Sequence, residues 1–272
     1  MVAGAVTGAS RQEFYTQRVK VLRLTNSNDV LSTTNRPEAL REGLEAFLGE
    51  PVEIVVKTIW PTESLPETVE KWVAREKPDL VWVGIVNYWY EYMSVPKRME
   101  RLFGRFGKRA SDLGFKAADT QWLSNNFAFR AMRRTLQATI GGDPHFTPQQ
   151  VVERIEGVAR RVLRSEGVVL AVWGPNAHTK YSIGKRAEKR AELGRQFVRR
   201  NLQRVANALH FEYYAFEEPG WKVDGKAELA KDHFHYSANW GETAAERELG
   251  LMKQAILRQR PELARAVPAD AR

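Results

Sequence analysis

Ser27, in the stretch "LRLTNSNDVLST" (residues 22–33), follows an apolar run by three positions. A serine hydroxyl is a weak nucleophile until a base takes its proton, usually a histidine whose other ring nitrogen is fixed by a carboxylate. One of the five histidines is placed for that task, because "KAELAKDHFHYSANWGETAAERELG" sets Asp232 and His235 three residues apart. Within a turn, this spacing lets the carboxylate reach Nδ1 while Nε2 points outward. Asn87, in "DLVWVGIVNYWYEY", lies just past another apolar run, where its amide NH2 could donate to a developing oxyanion. Such a donor stabilises the transition state by on the order of 2.7–4 kcal/mol. Each feature also has a plain alternative: Asp232 and His235 fit a solvated turn or a helix cap, and Asn87 fits a turn closure.

The remaining chemistry-bearing residues point less sharply. His233 beside His235 suggests a metal site with Asp232, but nothing nominates a third ligand, so no metal is expected. His145 in "GGDPHFTP" and His178 in "GPNAHTKYS" fall in expected loops, and His178, after the fourth apolar run, could border a pocket. His210 precedes the fifth run and reads as packing or a cap. A Gly-x-Gly-x-x-Gly after the first strand and a Walker-type loop are both absent; "SIGKRAEKR" has the Gly-Lys pair without the upstream glycine. No cofactor is expected. Tyr88, Trp89, Tyr90 and Tyr92 could stack sugars or bases, although beside a core strand such residues more often pack.

Five short runs rich in β-branched residues must position these groups: 19–24, 52–58, 79–85, 168–173 and 211–216. They read as buried parallel strands. Between them, "RPEALREGLEAFLG" and "LPETVEKWVAREKP" show helical periodicity, with Pro37 near one start and Gly49 after its end. The alternation predicts right-handed βαβ crossovers and an open sheet. One crossover, about residues 88–167, is far longer and ends in the helical "TPQQVVERIEGVARRVLRSEG". Its earlier part, about 88–147, reads as a helical insert, a lid or cap facing the substrate. Long helices are expected over 181–209 and from "NWGETAAERELG" to Pro261. Residues 1–14 and 261–272 read as flexible ends of one domain spanning 15–260.

Serine after strand one, asparagine after strand three and Asp-x-x-His before the last helix, on a flavodoxin-like frame, together resemble the SGNH hydrolase superfamily, or GDSL esterases and lipases. The resemblance covers roughly residues 19–258 and is best in "PEALREGLEAFLGEPVEIVVKTIWPTESLPETVEKWVAREKPDLVWVGIVN" and "DHFHYSANWGETAAERELG". It implies a three-layer α/β/α fold with a mainly parallel five-stranded sheet. It further implies Ser27 as nucleophile, His235 as general base then acid, Asp232 as its orienter, and Ser27 and Asn87 as oxyanion donors. The chain departs from the family's Gly-Asp-Ser-Leu, with Asn26 in place of the acidic neighbour. "TIWPTES" lacks the family's oxyanion glycine; Pro61 has no N–H to give, so Thr62 or a neighbour would donate. In place of Gly-x-Asn-Asp stands Ile85-Val86-Asn87-Tyr88, keeping only the asparagine. An active enzyme with a rebuilt pocket, in which Asn26, Tyr88, Trp89 and His178 shape the acyl or alcohol site, fits these departures. So does a fold turned to binding, its triad a relic.

Composition bounds the rest. With 43% hydrophobic residues in 272, a substantial core is available, and without cysteine it holds no disulfide or thiolate zinc site. "MVAGAVTGASRQEF" lacks the features of a signal peptide and no run reaches membrane-spanning length, which predicts a cytoplasmic protein. Residues 97–134 and 180–210 each carry +7, leaving −5 for the rest of a chain whose net charge is +9. These segments could attract an anionic substrate, although charge runs are more often solvated faces. No recognisable reader motif accompanies them, so nucleic acid is not the expected partner. The reading is a serine esterase acting on a small ester or thioester, with an acyltransferase on the same triad or an inactive binding protein as alternatives.

Overall fold

The computed structural model describes residues 18–25, 36–95, 97–104, 141–175, 185–215 and 238–264, together with 131, 135 and 139. Strands β1 (Val19–Thr25), β2 (Val52–Thr58), β3 (Leu80–Gly84), β4 (Val169–Trp173) and β5 (Glu212–Tyr214) form one sheet in the order β2-β1-β3-β4-β5. Every pairing is parallel, so the expected mainly parallel sheet is parallel throughout. The fifth strand is shorter than its apolar run, which spans 211–216 in the sequence.

Side chains alternate between the two faces of a strand, and β1 shows what each face meets. Leu22 and Leu24 join a core with Val69 and Val73 of helix α2 (Leu65–Glu76), where Trp89 is also buried. Val19 and Val21, on the other face, pack with Leu40, Leu44 and Leu48 of helix α1 (Arg36–Leu48). The sheet is therefore the middle of three layers. Beyond the short helix α3 (Tyr88–Glu91), helix α4 (Pro148–Val162) and helix α5 (Lys185–Leu209) cover the Leu22 face, and helix α6 (Ala238–Gln259) joins α1 on the other. Full burial of one such aliphatic side chain stabilises by about 1.5–3 kcal/mol.

Local chemistry sets the ends of these helices. Thr147 caps α4 by accepting from the Gln150 N–H at 3.1 Å while the Gln150 side chain accepts from the Thr147 N–H at 2.8 Å. α2 has Pro66 in its first turn, where a missing N–H costs nothing, and ends at Lys77 in a left-handed conformation with φ 48°. Among the described residues, no helix is long and apolar enough to cross a membrane.

The expected insert leaves and rejoins the domain at a fixed point. Ser94 and Asp143 exchange backbone hydrogen bonds of 2.9 and 3.1 Å, while Arg98 and Arg101 pair with the Asp143 carboxylate. Helical residues 97–104 follow Ser94; the expected lid or cap over most of the insert falls outside the described residues.

Candidate active site

In an open parallel sheet the chain passes to opposite sides where the strand order reverses, and a crevice opens beyond the carboxyl ends of the strands there. Here β1 connects outward to β2 on one side, while β3 lies on its other side, which makes the β1/β3 boundary the switch point. The two strand ends abut closely. A Cβ on Gly84 would lie 3.7 Å from the Leu24 carbonyl oxygen and 3.8 Å from Thr25 Oγ1. Next door, the Ile85 N–H donates to the Trp173 carbonyl at 2.8 Å, and the Gly174 N–H to the Tyr214 carbonyl at 3.0 Å. Gly174, at φ 114°, must be glycine, because a Cβ there would meet the Ile85 carbonyl oxygen at 2.3 Å.

This lacing holds the turn that carries Asn87. Its backbone carbonyl accepts from Tyr90 and Glu91 and opens α3, and its side chain is fully buried. Asn87 Nδ2 donates to Glu91 Oε2 at 2.9 Å. Arg195 of α5 reaches the same carboxyl group, with Nη1 at 3.2 Å from Oε1 and 3.4 Å from Oε2, and its Nη2 donates to Glu192. Burial pushes the Glu91 carboxyl up to about 8, against the opposing pull of Arg195 and Asn87.

An aromatic cluster borders this turn toward β2. Tyr88 and Tyr92 stack with centroids 4.8 Å apart, His145 stacks on Tyr92 at 6.0 Å, and Trp60 meets Tyr88 edge-on at 6.2 Å. Trp60 remains 43% exposed. Burial, with Lys97 nearby, pushes the His145 imidazole down to about 4, so the ring is neutral at physiological pH. Such ring faces attract flat or cationic groups.

A second buried polar group ties β1 to the last helix. Arg23 donates to Glu248 of α6 from Nε to Oε1 at 3.1 Å and from Nη2 to Oε1 and Oε2 at 2.6 and 2.8 Å, and Arg36 Nη2 also donates to Oε2. Burial pushes the Glu248 carboxyl up, but Arg23 and Arg36 together pull it below its ordinary value. The Arg36 guanidinium also lies 5.9 Å from the centre of the Trp173 ring.

Of the residues singled out in the sequence, Ser27, Asn26, His178, Asp232 and His235 lie outside the described residues. Asn87 stands beyond β3, as its spacing predicts. Tyr88 belongs to the aromatic cluster, whereas Trp89 is 1% exposed and packs in the core. Thr62 is exposed, and its N–H donates to the Trp60 carbonyl at 2.7 Å. Glu91, Arg195, Arg23 and Glu248 were not anticipated. Arg23 carried a signal, since a charge inside the apolar run "VKVLRL" needs a buried partner; Glu91, amid "YWYEY", carried a similar one. Among the described residues no cluster of three or more His, Asp or Glu side chains could hold a metal ion.

No family model and no curated protein matches the chain. Among solved structures it is similar to one described as TesA, with 16% identity, TM-score 0.49 and coverage of 88% of this chain and 99% of that one. It is also similar to a lipase/acylhydrolase from Enterococcus faecalis, at 13% identity and TM-score 0.49, covering 88% and 95%. A third is the esterase EstA from Pseudoalteromonas sp., at 10% identity and TM-score 0.47, covering 88% and 97%. Likenesses this low in identity and TM-score say nothing of this chain's chemistry.

Proposed function

We propose that the protein is a serine hydrolase that cleaves an ester or thioester through an acyl-enzyme on Ser27. The observation that carries this reading is the buried Asn87 amide at the β1/β3 switch point, where an open parallel sheet opens its crevice. Two further facts support it: Ser27 follows Thr25, the last residue of β1, by two positions, and Asp232 and His235 precede the first residue of α6 by six and three.

Ser27 Oγ attacks the carbonyl carbon as His235 takes the hydroxyl proton, and Asp232 stabilises the imidazolium that forms. The tetrahedral oxyanion accepts from the Ser27 N–H and from Asn87 Nδ2. Thr62 contributes only by exchanging its bond to Trp60 for one to the oxyanion. Collapse expels the alcohol or thiol, which takes its proton from His235. Water, activated by the same histidine, then releases the acid and regenerates Ser27. The Tyr88 and Trp60 rings border the substrate.

The test is intact-mass analysis of the purified full chain after treatment with a fluorophosphonate, beside Ser27→Ala. One adduct on the parent and none on the variant is the expected result. An equal adduct on both refutes Ser27 as nucleophile.

A further inference from the structure

We infer that Glu91, braced by Arg195, is a positioning residue that fixes which way the Asn87 amide faces; this rests on the reading above that Asn87 is an oxyanion donor. The physical problem is a symmetry of shape. An asparagine side chain presents an oxygen acceptor and an NH2 donor of nearly equal size, related by a half-turn about its last bond. One orientation stabilises an oxyanion. The other points a carbonyl oxygen at it and repels it.

The structure supplies a group that tells the two apart. Glu91 Oε2 lies 2.9 Å from Asn87 Nδ2, four residues on and one turn along α3. In its ionised form, which the Arg195 guanidinium favours against burial, Oε2 is an acceptor only: it satisfies an N–H and would face Oδ1 unfavourably. With one Nδ2 hydrogen directed at Glu91, planar amide geometry sends the other in a fixed direction about 120° away. A donor whose direction is set before the reaction needs no reorganisation as charge develops.

Glu91 is itself held from outside its own turn. Arg195 Nη1 spans both carboxyl oxygens at 3.2 and 3.4 Å, and Arg195 also donates to Glu192 on its own helix. The Glu91 side chain is 0% exposed and that of Arg195 4%. The orientation of the Asn87 amide therefore depends on the docking of α5 against α3. Close packing fixes that docking, since a Cβ on Gly194 would already touch the Tyr90 ring at 3.4 Å. A buried ion pair is commonly replaceable by apolar residues with little loss of stability. Packing alone therefore gives no strong reason for a carboxyl group here, whereas orienting an amide does.

That replaceability also provides the test. In the double variant Glu91→Leu/Arg195→Met both ionic partners go together and no lone charge stays buried. The full-length variant is assayed against the ester that the parent hydrolyses best, with its thermal midpoint measured alongside. The expected result is a folded protein whose kcat falls on the order of 100-fold while KM stays within about twofold. Glu91→Gln keeps an acceptor oxygen and is expected to recover about tenfold or more of that loss. A folded double variant with the parent's kcat overturns the assignment, and so does a Glu91→Gln variant as slow as the double. Should the double variant fail to fold, Glu91→Gln is compared with Glu91→Met, and equal kcat values overturn it. A parent that neither hydrolyses an ester nor takes up the fluorophosphonate overturns the serine-hydrolase reading and this assignment together. A labelled, active parent beside an unaffected double variant overturns this assignment alone.

Discussion

Replacing Glu248 by glutamine should weaken the whole fold, because this carboxylate joins the first strand to the last helix. It receives Arg23 on both oxygens through two nitrogens, at 2.6 to 3.1 Å, and Arg36 on Oε2 as well, with side-chain exposures of 0%, 2% and 4%. Removing one partner of a buried ion pair costs about 3–5 kcal/mol, mostly because charge stays buried without its counter-charge. For a chain of 272 residues the unfolding entropy is roughly 0.57 kcal/mol per kelvin, so the midpoint should fall by roughly 5–9 °C. The pH dependence supplies the sharper signature. Arg23 and Arg36 hold the Glu248 carboxyl below its ordinary value of 4.5 in the folded protein. Below 4.5 the unfolded chain takes up a proton there before the native state does. The stability this group contributes is thus fully present above 4.5 and is lost as pH falls through the folded value. Urea unfolding followed by circular dichroism, at pH 7 and in steps down from pH 5, measures both quantities on parent and Glu248→Gln. A loss below about 1 kcal/mol at pH 7, or an unchanged acid limb in the variant, would refute the reasoning.

Other expectations concern the margins of the site. His145 is held neutral, at about 4 against 6.5 unfolded, so its contribution is fully present above 6.5 and is lost as pH falls toward 4; His145→Phe should remove up to about 3 kcal/mol of that acid dependence in thermal melts. Gly174→Ala forces a side chain into φ 114° and to 2.3 Å from the Ile85 carbonyl oxygen, and should lower stability by about 1–3 kcal/mol or more by urea titration. The same substitution displaces the turn carrying Asn87, so ester hydrolysis should fall more than the loss of folded protein explains.

Much of the fold was legible because it rests on local rules. The run 52–58 is a strand with those bounds, and the other four strands lie within a residue or two of their apolar runs, because β-branched stretches bounded by turn residues specify strands locally. Pro66, Thr147 and Gln150 set helix starts by capping chemistry that a short window contains. Alternation of strand and helix then dictated a parallel sheet. Asn87 could be placed beyond β3 by counting from the end of an apolar run.

Which groups meet across the sequence was another matter. Arg23 and Glu248 are 225 residues apart and Glu91 and Arg195 are 104 apart, and their pairing depends on strand order and on which helix covers which face. No local propensity encodes either. Trp89 and Tyr88 adjoin in sequence, yet one is core and the other lies in the ring cluster, because a single turn of helix sends neighbours to different sides. The Thr62 N–H was read as a possible oxyanion donor, and only the folded loop revealed its bond to Trp60. The sequence by itself determined the strands, the caps and the position of Asn87. Tertiary structure decided what braces Glu91 beside Asn87 and what Arg23 meets, because a buried polar group takes its distant partner from whatever the packing brings within hydrogen-bonding reach of it.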